Sequence, residues 1–431
     1  MARIVLVGAG SITFAKNLLS DLMTFPELSE STIVLHDIDK ERLDTAEAMA
    51  RWMAAELGIG ARIEAHADRR AAVDGADYVI NEIAVGGLEA VRRDFEIPAS
   101  YGVRQTIADT LGIGGVFRAL RTIPVMVGIG DDLAELAPDA TLFTYTNPMS
   151  MIPWSVYAGT PFTNVVGVCH AARDTQKTLA RMVGVPEDEI SFLTAGVNHQ
   201  AFVLRFERDG ENLYDRLDEL IARDPELARR VRVEVYRSFG YFPTESSEHG
   251  AEYLPWFLPH EEEVAHYRIP VGVYLEWLAD GFEEYQAHKR SLEEGRGVPV
   301  QRGEELASLA IHSMETGTRR MIHGNVRNAG AIANLPAEAT VEVPCHVDRS
   351  GVQPVRVGEL PAQIAALNRT FLNVSELTVK AALEGRRDHV YQAAMLDPNT
   401  AATLPVRRIR ELVDDLIAAH GDLLPEGIRN V

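Results

Sequence analysis

A thiol, two imidazoles and two carboxamides crowd one stretch of the chain. Thr146-Asn147-Pro148, Cys169-His170 and Asn198-His199 all lie between Thr144 and His199. Thiolate and neutral imidazole suit a borderline divalent cation, and a carboxamide both donates and accepts, which suits the hydroxyls of a polyol or the amide of a cofactor. The separation of Cys169 from His199 matches no compact metal-binding pattern. A buried apolar cysteine and a hydrogen-bonded core histidine therefore stand as the competing reading of this pair.

The elements that must position these residues read as strands. Leu142-Phe143-Thr144-Tyr145 leads into Asn147, and Val165-Val166-Gly167-Val168 leads into Cys169. Both motifs are thus expected at the carboxyl ends of buried parallel strands, where an open α/β sheet presents its ligand crevice. Ser191 to Ala195 reads as a further strand before Gly196-Val197-Asn198-His199.

The amino terminus repeats this logic. Ile4-Val5-Leu6-Val7 is followed by Gly8-Ala9-Gly10-Ser11-Ile12, then by Phe14, Leu18, Leu19 and Leu22 on one helical face. Strand, glycine turn and helix would seat a pyrophosphate on free N–H groups, although the third position of the glycine pattern is Thr13. Ile33-Val34-Leu35-His36-Asp37 reads as a second strand, ending in an acid placed to accept from a ribose 2′-hydroxyl. That favours NAD over NADP. A helix opens at Asp39. Asp77 to Ile83 is a third core strand, with Asn81 within it and Gly86-Gly87 beyond, facing the same crevice.

Asp109-Thr110-Leu111-Gly112-Ile113-Gly114-Gly115 precedes a helix expected from Phe117 to Leu136, with Pro124 a candidate for its true start. The glycines would bring backbone close to a ligand with Asp109 at its edge; the alternative is a carboxylate that only bounds a turn. A helical stretch from Leu213 to Val235 is expected to divide at Asp224-Pro225. The run 240–249 sets titratable groups among aromatics, as a sugar site would, or as a domain or subunit contact would. Gly324 to Asn328 and Asn334-Leu335-Pro336 read as a polar loop pair before a strand from Thr340 to Val347, which makes Cys345 structural.

At 431 residues the chain exceeds one ordinary core, and the change of character near residue 199 predicts two domains. The fold class expected is α/β: a Rossmann-like doubly wound parallel sheet over 1–199 and an α+β substrate-binding and oligomerisation domain over 200–431, arranged as in malate and lactate dehydrogenases. A net charge of -21 repels a phosphate backbone and argues against nucleic acid. No signal peptide and no apolar stretch of membrane-spanning length are read, and two cysteines make no disulfide framework; a cytoplasmic protein is expected.

Taken together, Gly-Ala-Gly-Ser at 8–11, Asp-Thr-Leu-Gly-Ile-Gly-Gly at 109–115, Thr-Asn-Pro-Met at 146–149, Val-Cys-His at 168–170 and Gly-Val-Asn-His at 196–199 resemble glycoside hydrolase family 4. Thr-Glu-Ser-Ser-Glu-His at 244–249, Gly-Asn-Val-Arg-Asn at 324–328 and Ala-Ala-Met-Leu-Asp-Pro at 393–398 resemble its melibiase-like α-galactosidase branch. The resemblance implies an NAD- and Mn2+-dependent glycosidase that oxidises C3 of the sugar, eliminates the aglycone from C1, adds water and restores the hydride. It implies Cys169 and His199 as metal ligands, Asp109 as the acid on the leaving oxygen and Tyr241 as the base at C2. Asn147, His170 and Asn198 are the expected substrate contacts, and Gly8, Gly10, Ser11, Ile12, Asp37 and Asn81 the cofactor contacts. His170, where the phosphoglycosidase branch carries Asp or Asn, implies a non-phosphorylated sugar. An α-galactoside is expected, with a galacturonide or an α-glucoside as rivals, in a homodimer or homotetramer. A malate-type NAD-dependent dehydrogenase is the rival of another class, but the His-Asp pair and arginine clamp that it needs cannot be placed.

Overall fold

Six parallel strands form one half of a single sheet in a computed structural model that describes residues 1–11 and 14–430. Ile12, an expected cofactor contact, and Thr13 lie outside the described residues. The parallel strands are β1 (Arg3–Val7), β2 (Thr32–His36), β3 (Arg62–His66), β4 (Tyr78–Asn81), β5 (Thr141–Thr144) and β6 (Val165–Val168). Their spatial order is β3-β2-β1-β4-β5-β6, the doubly wound order that places a crevice outside the carboxyl ends of β1 and β4. The short apolar runs that announced β1, β2, β4, β5 and β6 are largely buried, whereas β3, at the edge and not read from the sequence, buries only Ile63.

The sheet does not stop at β6. β7 (Ser191–Val197), β8 (Gln200–Arg208), β9 (Glu211–Asn212), β10 (Phe242–Pro243), β11 (Arg320–Arg327), β12 (Thr340–Asp348) and β13 (Gly351–Pro354) continue it with antiparallel pairings. β11 pairs with β6 at Gly324↔Val168 and Asn325↔Gly167, and β12 and β7 follow. Residue 199, where a domain boundary was expected, lies in the tight turn between β7 and β8. One hydrophobic core runs from Ile4 to Ile428 across both halves.

Several local expectations change. Gly324 to Arg327 is strand β11 rather than loop, because Asn325 points into a buried polar cluster instead of solvent. The helix expected from Phe117 runs from Gly112 to Leu136 and passes through Pro124. It is long and apolar enough to cross a membrane, contrary to the sequence reading, but 72% of its apolar window is buried inside the protein. Asp39 caps the helix Lys40–Leu57 by accepting from Glu41 N and Arg42 N. Asp224 caps Pro225–Ala228 and divides the helical stretch as expected. Cys345 is fully buried in β12, its thiol donating to Val343 O.

Candidate active site

The turn between β7 and β8 presents Asn198 and His199, with His199 held at φ 64, a left-handed conformation uncommon for a residue with a side chain. Its ring lies between two groups. His199 Nε2 is 3.4 Å from Cys169 Sγ, beyond β6, and 3.3 Å from Glu245 Oε2, just beyond β10. On the other side, His199 Nδ1 is 2.9 Å from Thr110 Oγ1. Thr110 has one O–H, which it donates to Asp109 Oδ1 at 2.6 Å, so its oxygen is left to accept from His199 Nδ1. This fixes the tautomer: the ring proton is on Nδ1, and the Nε2 lone pair faces Cys169 and Glu245.

Among the described residues two trios bring metal-ligating atoms within 4.8 Å of one another: Cys169, His199 and Glu245, and Asp109, His199 and His249. The tautomer selects the first. Burial and the nearby His249 lower the affinity of His199 for a second proton, which keeps its imidazole neutral. Burial would raise Glu245, but His199, His249, the Ser246 N–H and Arg232 outweigh it and keep it a carboxylate. Burial, then Glu245 and Glu342, push the Cys169 thiol well up, so a cation is needed to stabilise its thiolate.

Asp109 is brought to the same place by the loop before the helix Gly112–Leu136. Its Oδ2 accepts from Asn147 Nδ2 at 2.8 Å, and its Oδ1 is 3.9 Å from His249 Nδ1. Burial would raise its pKa, but His249, Arg118, His199 and Thr110 hold it below the ordinary value. Sequence had placed Gly114 and Gly115 against a ligand. In the structure they make room for this loop, since a Cβ on Gly114 would stand 2.7 Å from Ala108 Cβ and one on Gly115 would stand 2.7 Å from the Thr110 carbonyl carbon. His249 shares Tyr253 with His199: the Tyr253 hydroxyl is 2.7 Å from His249 Nδ1 and 3.4 Å from His199 Nδ1.

Asn198 is also in this neighbourhood, donating from Nδ2 to Glu342 Oε2 at 2.9 Å. Asn325 reaches the same oxygen. Among the described residues, Asn198 Oδ1, Asn325 Oδ1 and Glu342 Oε1 are buried with no hydrogen-bond partner. Burial pushes Glu342 up to about 7.

The glycine turn follows the carboxyl end of β1. Gly8, at φ 88, approaches β4 so closely that a Cβ would meet Ile83 N at 3.0 Å. Gly10 N donates to Asp37 Oδ2 at 2.9 Å, so the expected ribose acceptor also holds the turn. Asn81 is fully buried and donates to Thr144 and Thr146. Glu82, beside Ser11, has its carboxyl raised well above the ordinary range by burial.

Two expected site residues stand apart from the central group. His170 turns toward Glu305, with Nε2 3.1 Å from Oε2, and its ring stacks with Phe14. Tyr241 is half-buried just before β10, on the segment that carries Glu245, and among the described residues joins none of the hydrogen bonds of the cluster. Glu245, His249, Glu252, Glu305 and Glu342 were given no individual role by sequence reasoning. The titratable run 244–249 was the available signal for the first two; the others had none.

The Family 4 glycosyl hydrolase model matches residues 3–185, and the Family 4 glycosyl hydrolase C-terminal domain matches residues 194–400. An alpha-galactosidase of Bacillus subtilis (strain 168) is 41% identical, covering 99% of this chain and 100% of that protein. An alpha-galacturonidase of the same organism is 29% identical, covering 92% of this chain and 93% of that protein. The 6-phospho-beta glucosidase of Thermotoga maritima, solved with manganese, NAD+ and glucose-6-phosphate, superposes with a TM-score of 0.82 at 21% identity, covering 98% of this chain and 99% of that one.

Proposed function

The chain belongs to family 4 of the glycosyl hydrolases, and from that premise we propose that it cleaves a neutral α-galactoside with NAD and manganese as cofactors. The observation that carries the reading is the convergence of Cys169, His199 and Glu245 on one point, with Asp109 on the far side of the same imidazole. The donor set fits the cation: a neutral imidazole with a fixed tautomer, a carboxylate and a thiol that a metal would deprotonate. Cys169 and His199 would hold it, with Glu245 completing the set, and Gly8, Gly10, Ser11, Asp37 and Asn81 would meet the dinucleotide. When bound, these groups supply hydride exchange at C3 and polarisation of the oxygens on C2 and C3.

The remaining steps fall to side chains. Tyr241 takes the proton from C2. Asp109 gives a proton to the oxygen leaving C1. It is ionised in the free protein, so its proton must arrive afterwards, and His249, 3.9 Å away, is a neighbour that can supply it. Asn147 fixes the other carboxylate oxygen, and Asn198 offers a free buried Oδ1 to a sugar hydroxyl. A neutral C6 is supported by His170, whose imidazole pairs with Glu305 instead of standing free for a carboxylate.

The test compares p-nitrophenyl α-galactoside, α-glucoside and α-galacturonide in the presence of NAD+, Mn2+ and a thiol reductant. The galactoside is expected to be hydrolysed fastest, with activity lost when NAD+ is removed. A uronide preferred by orders of magnitude overturns the substrate; cleavage that persists without NAD+ overturns the mechanism.

A further inference from the structure

We propose that Glu252 is a positioning residue, whose buried carboxylate holds the backbone of 106–108 and so aims the Asp109 carboxyl at the leaving oxygen. The inference rests on the reading of Asp109 as the acid. Glu252 ends the helix Ser247–Glu252 and is 1% exposed. Its Oε1 accepts from three consecutive backbone amides: Thr106 N at 2.6 Å, Ile107 N at 2.9 Å and Ala108 N at 2.9 Å. Its Oε2 accepts again from Ala108 N at 3.2 Å. Successive N–H groups turned onto one oxygen form a concave anion site: burial pushes Glu252 up to about 7, and His249 and the three amides oppose that rise.

That site governs the residue beside the acid. Ala108, immediately before Asp109, has φ 56, a conformation an alanine holds only when its surroundings enforce it. The three peptide N–H groups leading up to and including that of Ala108 are tied to Glu252, and the next residue, Asp109, meets Asn147, Thr110 and His249. The loop is held elsewhere too, with Asn399 Nδ2 donating to Arg104 O and Gln105 Oε1 accepting from Gly114 N. Among the described residues, only Glu252 accepts from the amides that set the turn into Asp109. Because it is sealed from solvent and occupied by backbone, Glu252 does not touch substrate. The same short helix carries His249, and Tyr253 follows it, so one segment fixes the acid loop and the histidine pair together.

Misplacing a catalytic group by about 1 Å lowers a rate by about 100-fold. The loss should appear where protonation of the leaving group matters most. In the full chain with NAD+ and Mn2+, Glu252→Ala, Glu252→Gln and Asp109→Asn are compared on methyl α-galactoside, whose leaving group needs a proton, and on p-nitrophenyl α-galactoside, whose leaving group needs little help. Glu252→Ala is expected to lose about 100-fold in kcat on the methyl glycoside, far less on the aryl glycoside, and to leave KM nearly unchanged. Glu252→Gln keeps an acceptor oxygen and should lie between Glu252→Ala and the parent; being isosteric, it carries the test where the alanine variant does not fold. Equal losses on both glycosides overturn the proposal. A leaving-group bias in Asp109→Asn without one in either Glu252 variant also overturns it while sparing the acid. No bias in Asp109→Asn removes the acid reading and this inference with it.

Discussion

Glu342→Gln should make the metal-free protein more stable at pH 8 and leave it unchanged near pH 4. Glu342 is 1% exposed in β12, and burial raises its pKa from 4.5 to about 7, against the opposing amides of Asn198 and Asn325 and with some help from Glu245. Folding raises the pKa, so between these values the native state binds more protons than the unfolded chain, and stability falls as pH rises through that window. At about 1.4 kcal/mol per pH unit, a rise of this size removes about 3 kcal/mol by pH 8. Glutamine is neutral throughout and nearly isosteric. Its carbonyl can still accept from Asn198 Nδ2, and its amide can donate to Asn198 Oδ1 or Asn325 Oδ1, which among the described residues have no partner in the parent. Urea unfolding of parent and variant with a chelator present, at pH 4, 6 and 8, reads the difference directly. The variant should gain about 3 kcal/mol at pH 8, part of that at pH 6 and none at pH 4. A difference that is the same at pH 4 and pH 8 would refute the argument, because a packing effect does not titrate.

Asp94→Asn leaves the Arg121 guanidinium, 2% exposed and paired bidentately with Asp94 at 2.6 and 3.1 Å, without its counter-charge; urea unfolding should show a loss of about 3–5 kcal/mol, and the double replacement Asp94→Leu with Arg121→Met should recover most of it. Thr110→Val removes the acceptor that fixes the His199 tautomer, and Mn2+ affinity measured by electron paramagnetic resonance of the free ion should weaken by about 10–100-fold, whether or not turnover survives.

What sequence could supply was local. The runs at Ile4–Val7, Leu142–Tyr145 and Val165–Val168 are apolar on both faces, and each is followed directly by residues of the site, so Gly8, Asn147 and Cys169 could be placed at strand ends before any tertiary contact was known. β11 was not legible. Its pairing with β6 joins residues about 157 apart, and Asn325, which made it look like loop, is buried only because Glu342 and the Gly167 carbonyl receive its amide. Glu252 had no chance of being singled out, since nothing about a glutamate near an aromatic run announces that three amides some 145 residues earlier will turn onto it. Asp37 illustrates the reverse case: its placement was legible, but not that Gly10 N would already occupy one of its oxygens.

On the proposed reading, the acid and the metal set are not independent parts of this site, because consecutive residues would serve them. Asp109 carries the carboxyl, and Thr110 gives its proton to that carboxyl while accepting from His199 Nδ1. The ionised state of Asp109 therefore orients the threonine hydroxyl, the hydroxyl fixes the imidazole tautomer, and the tautomer exposes Nε2 to Cys169 and Glu245. If Asp109 were protonated, it would no longer demand the Thr110 proton; the hydroxyl would be free to turn, and the order of the imidazole would weaken. An ionised Asp109 in the free protein, which looks unsuited to an acid, is what would prepare His199 to bind a cation on that reading. Its proton is then needed only after the substrate has entered, when the group that orients the metal ligand and the group that leaves with the aglycone compete for the same carboxylate.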